Sequence, residues 1–132
     1  MYATHFPKKR YKLTLKFLKQ YIAPTETILD LGVKNPFSEL LKTEGYTVNN
    51  TSGEDLDLNI NALETNKSDV VTAFEIFEHL LSPFTVLKNI QSKKLVASIP
   101  LRLWFASAYR SKTDPRDRHF HEFESWQFDW LL

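Results

Sequence analysis

Ile28-Leu29-Asp30-Leu31-Gly32 decides the fold of this chain when read with Val70-Val71-Thr72-Ala73-Phe74 and the Glu78-His79 pair just beyond it. Each apolar run has the length of a buried strand. The first ends in a carboxylate and a glycine. Asn35 then suits a helix N-cap and Pro36 a first helical position, because proline's missing N–H has no intrahelical partner to lose there. A helix over 37–44 should stop at Gly45, and 46–50 should resume as a strand. Strand, tight turn, short helix and strand form a βαβ unit, so the two strands should lie parallel with a right-handed crossover.

Upstream, Tyr11, Leu15, Leu18 and Ile22 fall at helical spacing, with Lys12, Lys16 and Lys19 on the other side. This is an amphipathic helix ended by Pro24, and its basic residues read as a solvated face rather than a nucleic-acid contact. Downstream, Leu56, Leu58 and Ile60 alternate with Asp55, Asp57 and Asn59, which predicts a short edge strand. Ser82 should cap a helix with Pro83 at its first position, and 94–99 should be a strand stopped by Pro100. The aromatic stretch 101–109 fits a helix or a lid, 110–118 a charged loop, and Ser125 the cap of a last helix. Strands near 28, 46, 56, 69 and 94, with helices between most of them, make an open, mostly parallel, Rossmann-like α/β sheet. Ligands in such sheets bind beyond the carboxyl ends of the strands, where the chain order reverses.

The composition is consistent with this. At 132 residues, 42% hydrophobic and 14% aromatic, the chain is one domain able to bury a core. It divides into an N-terminal helical segment (1–24), a sheet core (25–100) and a lid or C-terminal segment (101–132). Its 17 basic and 16 acidic residues nearly cancel, so no global field points to nucleic acid or membrane. The absence of cysteine removes disulfides, thiolate nucleophiles and cysteine zinc sites, and fits a cytoplasmic setting. No signal-peptide pattern or membrane-length apolar run occurs.

The order of these pieces resembles a class I S-adenosylmethionine (SAM)-dependent methyltransferase of the small type 11 kind. The resemblance rests on Asp30 and Gly32 after the first strand and on Glu75-Ile76-Phe77-Glu78-His79-Leu80-Leu81-Ser82-Pro83 after a later one. It rests also on Ser98-Ile99-Pro100 and on His121-Glu122-Phe123-Glu124-Ser125. It covers roughly residues 10–132. It implies SAM as cofactor, bound by Asp30, Gly32, Ser52, Asp55 and Glu75, with Glu54 as an alternative acid for the ribose. His79 would be the candidate proton acceptor, and His121 and Trp104 would border the pocket of a small-molecule acceptor. Lys34 and Pro36 stand where the family carries further glycines, and the family's last two strands have no counterpart. These departures favour a second reading, a non-catalytic methyltransferase-like binding or assembly domain. The open sheet edge and exposed aromatics point to a homodimer.

His119 and His121 lie two apart, which on a strand would place them on one face beside Glu122, as in a cupin-like metal site. The sequence places no third ligand, and cupins lack this alternation of strands and helices, so no metal is expected.

Overall fold

A computed structural model describes residues 6–132; the first five residues of the N-terminal segment lie outside it. Helix α1 (Phe6–Tyr21) leads to strand β1 (Thr27–Asp30), helix α2 (Pro36–Thr43) and strand β2 (Thr47–Asn50). Then come the short helix α3 (Asn61–Thr65), strand β3 (Val70–Phe74), a 3₁₀ turn (Phe77–His79), helix α4 (Pro83–Asn89), strand β4 (Lys94–Ser98) and helix α5 (Ser125–Leu131). The four strands form one sheet in the order β2-β1-β3-β4, and every neighbouring pair is parallel. The chain moves from β1 out to β2, then crosses back over β1 to β3. The switch point of this α/β sheet therefore lies between β1 and β3.

The strands β1 and β3 are buried on both sides, as parallel strands must be. Their side chains alternate between two cores. Ile28 and Val70 join Leu18 and Ile22 from the α1 segment, Phe37 and Leu41 of α2, and Tyr46 and Val48 on one face. Leu29, Leu31, Val71 and Ala73 meet Leu56, Leu63, Phe77, Leu80, Val86 and Phe123 on the other. Leu18 of α1 is fully buried while the flanking lysines are exposed, as the helical spacing predicts. Strand β4 stays half-covered at the sheet edge.

Three local expectations are corrected. Residues 56–60 form no strand: the carbonyl of Asp55 accepts from the N–H groups of Leu58 and Asn59, and the Asp55 side chain accepts from Asp57 N–H. This Asx turn leaves Leu58 81% exposed and buries only Leu56, so the alternation has no face to bury. The sheet accordingly has four strands, not five. The last helix has Glu124 as its N-cap, the Glu124 N–H donating to Gln127 Oε1 at 2.8 Å, and Ser125 is its first residue. Residues 101–109 form no helix; they are exposed and irregular.

Candidate functional site

The turn after β1 is held by a clamp of carboxylate and amides. Asp30 is 2% exposed. Its Oδ1 accepts from the Thr72 hydroxyl at 2.7 Å, and its Oδ2 accepts from the side-chain amides of Asn35 and Asn50, each at 3.0 Å. Asn35 also caps α2, its Oδ1 accepting from Phe37 and Ser38 N–H while the Ser38 hydroxyl accepts from Asn35 N–H. One asparagine thus starts the helix and satisfies one lone pair of the strand-end acid. Burial pushes the Asp30 carboxyl above its usual range, opposed by the bonds from Thr72, Asn35 and Asn50. Three protein donors fix Asp30 at the turn, on the wall of the smaller of the two clefts described below.

Gly32 follows with φ +118°, a backbone conformation closed to ordinary L side chains. Its N–H donates to the buried Thr51 hydroxyl at 2.7 Å. Lys34 and Pro36 both turn toward α2: the Lys34 ammonium lies 3.4 Å from Glu39, with the side chain 68% exposed, and Pro36 forms the first turn of the helix.

Two clefts open at the carboxyl edge of the sheet and share Gly32, Val33 and Ile76. The smaller, about 300 Å³, is bounded by Arg10, Tyr11 and Thr14 of α1 and by Asp30, Glu75 and Ser98. The larger, about 570 Å³, carries the acids Glu54, Asp55 and Asp57 on one wall and Leu56, Leu80 and Phe120 among its apolar surfaces; His79, Asp114, Arg116 and Asp117 also line it. Glu75, with φ +57°, is the non-glycine residue in the left-handed region among those described. That conformation costs on the order of 1–3 kcal/mol and is held by two contacts with Ser98. Glu75 N–H donates to the Ser98 carbonyl, and Glu75 Oε1 accepts from the Ser98 hydroxyl, both at 2.9 Å.

The other expected residues are distributed unevenly. Gly32, Asp55 and His79 line the larger cleft, and Asp30, Gly32 and Glu75 line the smaller. Ser52 lies outside both, its N–H turned to the Glu54 carboxylate. His121 also lies outside: its ring stacks on Phe123 and its Nε2 donates to the Leu81 carbonyl at 3.2 Å. Trp104 is 90% exposed, with its ring against Phe105, and borders neither cleft. The segment carrying His119 and His121 is irregular rather than extended, so the two rings part; His119 turns to His79, with centroids 4.9 Å apart.

Glu78, quoted above within the stretch that carries the resemblance, is a candidate the sequence did not single out: it is 1% exposed, and neither carboxylate oxygen has a hydrogen-bond partner. Burial, with smaller contributions from the nearby Glu75 and Glu122 charges, pushes its carboxyl up to about 8. Its backbone carbonyl accepts from the N–H groups of Phe120 and His121, tying the 118–122 segment to the 3₁₀ turn. The signal was the apolar setting of this acid, Ile76-Phe77 before it and Leu80-Leu81 after.

Comparison with protein-family models, with curated proteins and with solved structures returned no match. Among the described residues, no helix is long and apolar enough to cross a membrane.

Proposed function

We propose that this protein binds SAM across the paired clefts and transfers its methyl group to a small-molecule acceptor. The observation that carries the reading is the meeting of two chemically unlike clefts over a side-chain-free Gly32, at the switch point between β1 and β3. Switch-point crevices of parallel α/β sheets are where nucleotide-bearing ligands bind. The smaller cleft suits the amino-acid end, with Arg10 available for a carboxylate and Glu75 for an ammonium. The larger suits the nucleoside end, with Glu54 and Asp55 as acceptors for ribose hydroxyls and Leu56 and Leu80 as apolar walls for a base.

When bound, SAM supplies a methyl carbon made electrophilic by its sulfonium. The chain's own part is to hold the two ends and admit an acceptor in line, which supplies most of the rate for such a transfer. His79, which lines the larger cleft, meets the Arg118 carbonyl with Nδ1 at 2.9 Å, which fixes the proton on Nδ1 and leaves Nε2 as the acceptor.

Titration calorimetry with SAM and with its demethylated product tests the reading. Saturable binding of both is expected, weakened at least tenfold by Glu75→Gln and by Asp55→Ala. No heat at millimolar ligand would overturn it. Binding without release of labelled methyl to any of a panel of small acceptors would instead favour the binding-module reading.

A further inference from the structure

Outside the features used above, one group of side chains is arranged as a ligand set. Glu78, His79 and His119 each offer one donor atom, and these atoms lie within 4.8 Å of one another. His79 Nε2 is 3.9 Å from Glu78 Oε1. Each imidazole is turned by a partner on its other nitrogen: Nδ1 of His79 meets the Arg118 carbonyl at 2.9 Å, and Nδ1 of His119 meets Glu122 Oε1 at 2.7 Å. A carbonyl and a carboxylate only accept, so both Nδ1 atoms carry the proton and both Nε2 atoms keep a free lone pair. This is the outer arrangement that metal-binding histidines use to fix tautomer and ring direction. The third member is the fully buried carboxylate whose two oxygens have no hydrogen-bond partner. A carboxyl group buried this way carries its charge only when something positive meets it.

We propose that Glu78, His79 and His119 bind a divalent first-row transition-metal ion, with Glu122 and the Arg118 carbonyl positioning the two imidazoles. Two neutral nitrogens and one carboxylate suit zinc, cobalt or iron(II) better than calcium or magnesium, which favour all-oxygen shells. Three protein ligands leave at least one coordination position, as in catalytic rather than structural sites. His79 also lines the larger cleft, so the ion sits beside it, and its chemistry selects an oxygen donor there, a hydroxyl or a carboxylate. An ion on His79 Nε2 excludes that atom as a proton acceptor, and the metal measurement decides between the two roles. The inference does not rest on SAM binding.

The experiment is titration of the tag-free, chelator-treated chain with Zn²⁺ and with Co²⁺, in the absence of SAM. Expected are one ion per chain with micromolar or tighter affinity, a cobalt visible spectrum of a low-coordinate nitrogen–oxygen site, and amide protection rising at 118–122. Glu78→Gln and His119→Ala should each weaken binding at least a hundredfold, and Glu122→Gln about tenfold. His121→Ala should leave it unchanged. Circular dichroism of each apo variant separates lost ligands from lost fold, and Glu78→Gln, nearly isosteric, is the variant expected to keep its fold. Binding weaker than millimolar in the wild-type chain, or affinity undiminished in a folded Glu78→Gln protein, would overturn the proposal.

Discussion

Replacing Asp30 by alanine would strip the acceptor from three donors at once, the buried Thr72 hydroxyl and the amides of Asn35 and Asn50. Losing hydrogen bonds to a charged group and stranding a buried hydroxyl should cost about 2–3 kcal/mol, read by urea denaturation. Asp69 makes a different prediction. Its carboxylate is held below the usual range by the backbone N–H of Thr27 first and the Thr27 hydroxyl second. A lowered folded pKa means stabilisation fully present above the unfolded value of about 3.9, and lost as the pH falls through the folded value. Asp69→Ala should therefore be less stable than wild type at neutral pH, with the gap closing in strong acid, as thermal unfolding across pH 2–7 would show. Asp30, whose carboxyl is raised, works the other way: its contribution is greatest in acid and declines as the pH rises through the folded value. Asp30 and Gly32 were legible from sequence because strand, acid and glycine are contiguous. Glu78 and His119 were not, since forty positions separate them and an irregular segment brings them together.

The beginning of α2 depends on one side chain with two tasks. Asn35→Ala removes the cap on Phe37 and Ser38 N–H and a donor to Asp30. It should lower stability by about 1–2 kcal/mol and loosen the turn, visible as amide shifts through 31–36 by NMR. Helix α1 is fixed by its apolar stripe rather than by its charges. Leu18→Ala, at a fully buried position, should cost about 2–5 kcal/mol, whereas Leu13→Ala, at an exposed one, should stay within about 0.5 kcal/mol. The elements that were legible had punctuation at both ends: Asn35-Pro36 before α2 and Gly45 after it, Ser82-Pro83 before α4. Residues 56–60 were misread because two-residue alternation is shared by a strand and by a succession of Asx and helical turns, and only the side-chain bond from Asp55 distinguishes them.

Over the molecule as a whole, order is unequal. Strands β1 and β3 are covered on both faces, while 101–110 is exposed throughout. Hydrogen exchange should be slowest at the amides of Ile28, Leu29 and Val71 and fastest across 101–117; equal protection in the two regions would contradict the fold described. The strand order was only partly legible, because pattern fixes that strands are parallel but not which side of β1 each later strand joins. The rim shared by the two clefts carries a last consequence. Val33 leans over it far enough that a Cβ on Gly53 would come within 2.7 Å of its side chain, and Gly32 is the low pass beside it. Any guest touching both hollows must fold over that saddle, so the molecule measures length and bend together. Free methionine and free adenosine, each resting on one slope, should bind far more weakly than the joined compound, because the tether makes the second contact intramolecular.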